Sequence, residues 1–268
     1  MPNLQDPLMI VTDLDGSLLD HHTYSWQPAE PWLARLRDAQ IPLVICTSKT
    51  SAEIIPLQQR LGFPGAPFIA ENGALVQIDN AQGEMVRHHA GKDYSEICHC
   101  LRRLQQQHHF RFTGFSDFTE KELAAITGLP PAEAALARMR EASETLVWRD
   151  SDEQLALFRQ ALEQASLMLV QGGRFWHVMP KGSGKGEALR WLLQNMTTSG
   201  GKRFITVGLG DGPNDAPMLD SVDYAVVIKG FSKSPVELTR QDECHVYQTT
   251  EYGPAGWCEG LDYFISQE

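Results

Sequence analysis

Hydrophobic and polar positions alternate in texture along the chain. Residues 8–13 are an apolar run that stops abruptly in acidic residues and glycine. A run with no polar parity has no solvated face, which predicts a buried strand of a parallel sheet. Trp32, Leu33, Leu36 and Ala39 then recur at helical spacing across residues 31–40. Residues 42–46 form a second apolar run, ending at Thr47-Ser48-Lys49-Thr50. Residues 51–61 return to helical spacing with Ile54, Ile55, Leu57 and Leu61, in spite of Pro56. Residues 68–70 are a third short run, closing on Glu71-Asn72-Gly73, a turn signal.

After about residue 82 the pattern changes. Residues 94–104 are amphipathic, and Thr119 with Glu122 predicts a capping box ahead of Leu123 and Ile126. Ser151 with Gln154 repeats that signature ahead of Leu155, Phe158, Leu162 and Ala165. Residues 167–170, Gly172-Gly173 and residues 175–179 predict a hairpin. From Lys185 the first texture resumes. Leu189, Leu192, Leu193 and Met196 mark a helix, and residues 204–209 a strand ending in Gly210-Asp211-Gly212. Residues 224–228 mark another strand. Strand–helix alternation on both sides of a mixed segment predicts an α/β fold: a Rossmann-like open parallel sheet carrying an inserted α+β cap. Residues 1–81 and 181–268 are expected to form the core, and residues 82–180 the cap that sets specificity.

The 268 residues, 42% hydrophobic and 21% charged, suffice for a buried core. The apolar runs are too short to span a bilayer, and no basic cluster with a long apolar segment opens the chain, so neither a membrane span nor a secretory signal is expected. Cys46, Cys98, Cys100, Cys244 and Cys258 are odd in number and lack framework spacing. Free thiols in a reducing cytoplasm are the expectation. A net charge of −11 opposes general binding to nucleic acid or an anionic membrane. An anionic substrate then requires a local cation.

Ligands of open parallel sheets bind at the carboxyl ends of the strands. One strand ends in Asp13-Leu14-Asp15-Gly16-Ser17, another in Thr47-Ser48-Lys49, and a late one in Gly210-Asp211-Gly212-Pro213-Asn214-Asp215, while Lys185 opens a helix. Each has an ordinary structural reading, as a polar turn, a helix cap or a surface lysine. A calcium loop is excluded for the first, because Leu18 and Leu19 stand where further ligands belong. Their joint occurrence in this order is what singles them out.

DLDGSLLD, CTSKT, KGSGKGEAL and GLGDGPNDAPML resemble the four ordered motifs of haloacid-dehalogenase-type phosphatases. The resemblance covers the two flanking segments, a little over half of the chain. The long insert between the second and third motifs is similar to the Cof-like sugar-phosphatase subgroup. Within it, PFIAENGA, ARMREASETLVW and GGRFWHV running into KGSGKG resemble mannosyl-3-phosphoglycerate phosphatases. Ser17 departs from the usual Thr, and Ser48-Lys49 from a frequent Gly-Arg. The resemblance implies that Asp13 is the nucleophile and Asp15 the general acid and base. It implies Mg2+ held by Asp13, the Asp15 carbonyl and Asp211, with Asp215 a further ligand or support and Asn214 part of that metal loop. Thr47 and Lys185 would hold the phosphoryl group, with Ser48 and Lys49 beside the substrate.

Two other signals are set aside. Gly182-Ser183-Gly184-Lys185 lacks the first glycine of a P-loop, at Met179, and has Gly186 where the hydroxyl residue belongs. Cys98-His99-Cys100, with His88-His89 and His108-His109, is too closely spaced on a helix to converge on zinc, and reads as surface and half-buried residues. In the cap, Arg140, Ser143, Arg174 and His177 are candidates to read the substrate, Arg174 foremost for a carboxylate. The expected reaction is hydrolysis of a small anionic phosphorylated metabolite, mannosyl-3-phosphoglycerate for preference. Another sugar phosphate, a phosphomutase reaction and a non-catalytic phospho-metabolite sensor stay open.

Overall fold

The computed structural model describes residues 1–79, 83–172, 174–196, 198, 200–232 and 234–266. The chain begins with β1 (Leu8–Thr12), α1 (Glu30–Asp38), β2 (Leu43–Cys46), α2 (Ser51–Leu61) and β3 (Phe68–Ala70), then turns back through β4 (Leu75–Asp79) and β5 (Met85–His89). A second group comprises α3 (Tyr94–His108), β6 (Phe112–Gly114), α4 (Glu120–Thr127), α5 (Pro131–Ala137), β7 (Glu144–Trp148), α6 (Asp152–Gln164), β8 (Leu167–Gln171) and β9 (Trp176–Pro180). The last group is α7 (Lys185–Asn195), β10 (Ile205–Gly210), α8 (Ala216–Leu219), β11 (Tyr224–Lys229), β12 (Val246–Tyr252) and α9 (Gly253–Phe264).

Eight strands form one sheet in the order β12-β11-β10-β1-β2-β3-β4-β5, and four form another in the order β6-β7-β9-β8. Neighbours from β12 to β3 are parallel, and β4 and β5 add an antiparallel edge. The small sheet is antiparallel throughout. This is the α/β core with an inserted α+β cap that the alternation predicts. The boundary expected between residues 81 and 82 lies outside the described residues, as does Gly173 of the predicted hairpin turn. Met85–His89, which the sequence pattern puts in the cap, pairs with β4 in the large sheet. Its side chains alternate between exposed and half-buried, so it lacks the continuous apolar run that betrays the inner strands.

Both parities of β1 are buried. Leu8 and Ile10 pack with Trp32, Leu33 and Leu36 of α1 and Trp257, Leu261 and Phe264 of α9. Met9 and Val11 face the other way, onto Leu189 and Leu192 of α7 and Met218 and Leu219 of α8. Burying each such side chain contributes about 1.5–3 kcal/mol, which anchors the strand whose end carries Asp13. In the cap, Ile97, Leu101 and Leu104 of α3 and Phe158 and Leu162 of α6 cover Phe112, Leu146, Leu169 and Val178 of the small sheet. The Thr119–Glu122 capping box forms at the start of α4. Ser151 caps α6 by accepting the Gln154 N–H, with no return bond from Gln154 among the described contacts. All five cysteines are free thiols, and Cys98 and Cys100 are buried in the cap rather than half-exposed. Among the described residues, no helix is long and apolar enough to cross a membrane.

Candidate active site

Thr12 lies opposite Leu209 of β10 and Ile45 of β2, so Asp13, Thr47 and Asp211 all leave the sheet at one edge. Helix α7 brings Lys185 to the same place as its first residue. Two glycines make this crowding possible. Gly16, at φ +87°, would put a Cβ 2.5 Å from Asp211 Oδ2. Gly73, at φ +98°, would put one 2.1 Å from the Gly184 carbonyl oxygen, so only glycine lets the loop after β3 press against the start of α7.

Lys185 is 2% exposed. Its Nζ lies 2.8 Å from Asp13 Oδ1 and 2.6 Å from Asp215 Oδ1. Asp13, Asp211 and Asp215 each offer an oxygen within 4.8 Å of the others. One ammonium therefore faces three carboxylates. Burial, then Asp215, pushes Asp13 up to about 7 against the pull of Lys185. Burial, then Asp13 and Asp215, pushes Asp211 up to about 8. Burial pulls the Lys185 ammonium down, but Asp13 and Asp215 outweigh it and hold it above its ordinary range. Both partners of the Lys185–Asp13 pair thus shift upward: burial, then repulsion from Asp215, raises the acid, while the two carboxylates together raise the lysine.

Uncompensated buried carboxylate oxygens suit a hard divalent cation. Asp13 and Asp211 are the members with capacity left, since Asp211 Oδ1 accepts only the Ser17 hydroxyl, at 3.0 Å. Asp215 is the most engaged of the three. Its Oδ1 accepts from Lys185, and its Oδ2 accepts the amides of Asp211 at 3.1 Å and Gly212 at 2.9 Å. It fixes the loop and the lysine.

Asp15 extends from the same turn. Its Oδ2 lies 3.0 Å from Lys49 Nζ, while Oδ1 is buried with no partner among the described residues. Lys49 also approaches Glu53 at 3.9 Å. Burial lowers its ammonium, but Asp15 and Glu53 outweigh that and raise it. Thr47 is buried; its Oγ1 accepts the Lys49 N–H at 3.3 Å, which leaves its hydroxyl proton to donate elsewhere.

The family model of haloacid dehalogenase-like hydrolases matches residues 10–237. This chain belongs to that family. Its fold is similar to a phosphatase of the haloalkanoate enzyme superfamily from Bacteroides thetaiotaomicron, at 20% identity and a TM-score of 0.68, covering 97% of this chain and 96% of that one. A subclass IIB sugar phosphatase matches at 15% identity and a TM-score of 0.64, covering 96% and 98%. A protein from Thermotoga maritima matches at 17% identity and a TM-score of 0.66, covering 97% and 98%.

The hydrolase thus gathers Asp13, Asp15, Thr47, Ser48, Lys49, Lys185, Asp211, Asn214 and Asp215 along one sheet edge. Asn214 is not among the clustered acids; its Nδ2 donates to Asn72 Oδ1 at 3.3 Å. The cap candidates are placed differently. Arg140 is buried at the seam, where Nη2 donates to the Ser48 carbonyl at 3.2 Å and to Ser143 Oγ at 2.8 Å, and Nε stands 3.6 Å from Glu71 Oε2. His177 is buried, with Nδ1 3.1 Å from Thr145 Oγ1. Burial, then the charges of Arg140 and Lys185, presses its imidazole down to about 3, so it is neutral. Arg174 donates to the Thr127 carbonyl at 2.6 Å and lies over the Phe175 ring.

Sequence reasoning passed over Glu71. This fully buried acid accepts from the Glu141 amide at 2.7 Å, the Ala142 amide at 3.2 Å and Ser143 Oγ at 2.6 Å. It is the core's grip on the cap. The Thr50 hydroxyl, donating to the Leu136 carbonyl at 2.9 Å, and Arg87, 2.6 Å from Glu141 Oε2, reinforce the same seam. The available signal was position: Glu71-Asn72 follows a parallel strand on the edge that carries Asp13 and Thr47.

Proposed function

We propose that this hydrolase is a phosphatase that cleaves phosphomonoesters of small sugar-type metabolites through a phospho-aspartate on Asp13. The observation that carries it is Lys185, buried between Asp13 and Asp215 beside Asp211. A carboxylate attacks an anionic phosphoryl group only where cations offset the repulsion.

Asp13 Oδ2, the oxygen not held by Lys185, forms the bond to phosphorus as the bond to the leaving oxygen breaks. Asp15, through its unpartnered Oδ1, gives that oxygen its proton. It then takes a proton from the water that attacks the acyl phosphate, which releases inorganic phosphate and restores the Asp13 carboxylate. Thr47 and Lys185 hold the phosphoryl oxygens, and Asp215 keeps the lysine aimed. Mg2+ bound by Asp13, Asp211 and the Asp15 carbonyl would supply the remaining positive charge.

For substrate we propose mannosyl-3-phosphoglycerate. The support is where the resembling segments fall: the turn after β3, the stretch from Arg140 into β7, and β9 lie at or next to the seam over the site. Phosphate release from a panel of sugar phosphates, with Mg2+ and with chelator, tests both levels. Chelator-sensitive turnover concentrated on mannosyl-3-phosphoglycerate is expected. Broad hydrolysis without preference overturns the substrate, and no release from any member overturns the phosphatase.

A further inference from the structure

We propose that the side-chain amide of Asn72 is a further donor to the phosphoryl group, beside Thr47 and Lys185, and that docking of the cap on Glu71 sets it in place. The inference rests on the phosphatase reading above.

Asn72 is 2% exposed, and its Nδ2 is buried with no hydrogen-bond partner among the described residues. Buried amide donors are nearly always satisfied, so an orphan points to an acceptor that the protein itself does not provide. The surroundings say which kind. The Asn72 backbone N–H donates to the Thr47 carbonyl at 2.9 Å, and its Oδ1 is held by Asn214 Nδ2. The next residue, Gly73, presses on the Gly184–Lys185 peptide. Asn72 is thus tied to Thr47 through its backbone and to Asn214 through its side chain, next to a glycine packed on the Lys185 peptide, and the substrate group to be held beside these residues carries acceptor oxygens only. A donor is the correct polarity, and its bond to a charged oxygen is of the stronger type.

The placement is costly to maintain. Glu71 and Asn72 both have left-handed backbone, at φ +52° and +58°, which Asn tolerates but Glu adopts reluctantly. The core holds them through the Glu71 N–H on the Lys49 carbonyl and the Asn72 N–H on the Thr47 carbonyl, and the cap adds the Glu141 and Ala142 amides, Ser143 and Arg140 on the Glu71 carboxylate. One residue grips the cap and the next offers a donor to the site. Seating the cap and completing the phosphoryl cradle are then a single event.

The test is inhibition by orthovanadate, measured with kcat/KM, Mg2+ half-saturation and Tm, for wild type, Asn72→Ala and Asn72→Asp. The second variant keeps the volume and the oxygen that Asn214 binds, should the first not fold. Each is expected to weaken orthovanadate binding about tenfold or more and to lower kcat/KM about 10- to 100-fold. Mg2+ half-saturation should stay within about twofold. A folded variant that binds orthovanadate like wild type overturns the proposal, as does a loss that tracks loss of Mg2+, which would make Asn72 a mere prop for Asn214. Wild type without turnover would instead refute the phosphatase reading.

Discussion

The carboxyl edge of the large sheet and the seam beneath the cap both bury polar groups, yet they are opposites in satisfaction. At the seam the groups that join cap to core have found counterparts: Glu71 takes two amides and a hydroxyl, and Arg140 closes on Ser143 and the Ser48 carbonyl. At the edge, burial first and then repulsion from neighbouring carboxylates push Asp13 and Asp211 upward, and among the described residues Asp15 Oδ1 and Asn72 Nδ2 have no partner. A buried polar group that is paired builds the structure. One left unpaired, where burial makes that costly, is kept for a ligand.

The sharpest way to break this contrast is at Asp13. Asp13→Asn relieves repulsion among the acids and keeps the shape, so the protein should fold as well as wild type or better. Its phosphatase turnover should fall by on the order of 10^4-fold or more; a phosphate-release assay beside a thermal melt reads both. The seam should answer in stability instead. Arg140→Met strands the Glu71 charge and should cost about 3–5 kcal/mol in urea unfolding, while Glu71→Gln added to it should recover much of that loss. A double variant no better than the single one would mean that the pair is not what joins cap to core.

A smaller effect lies in pH. Asp13 and Asp211 hold protons in the native chain at pH values where the unfolded chain, with carboxylates near 3.8, has lost them. Native protein therefore binds more protons, and stability falls as pH rises through about 7 and 8. His177 acts oppositely but only below its unfolded value of 6.5, because native His177 stays neutral down to about 3. The Tm of metal-free protein should thus drop between pH 6.5 and 8, and added Mg2+ should flatten the drop. The smallest effect belongs to a pair in neither region. Arg190, 2.8 Å from Glu187 on the exposed face of α7, should tolerate Arg190→Ala within about 0.5 kcal/mol in the same unfolding assay.

The inner strands were legible because burial on both faces leaves an unbroken apolar run, and Asp13, Thr47 and Asp211 come just after such runs while Lys185 opens a helix. Asp13, Thr47 and Asp211 are therefore readable without a structure. β5 and β12 were not, since edge strands with mixed side chains such as VYQTTEY carry neither an apolar run nor a clean alternation. The Asp15–Lys49 pair and the Glu71–Arg140 contact were hidden for another reason. Each depends on residues that chain order holds apart, Glu71 and Arg140 by nearly seventy positions. Glu71-Asn72-Gly73 does form the turn its composition signals, but its second role needs the cap to be folded against it.

A covalent phosphoryl group on Asp13 is accessible to direct trapping. The enzyme would be quenched during turnover, reduced with borohydride, which converts an aspartyl phosphate to homoserine, and its peptides read by mass spectrometry. Homoserine at position 13, absent without substrate and absent in Asp13→Asn, is the predicted result. Sustained phosphate release with position 13 unmodified, or modification at another carboxylate, would contradict it.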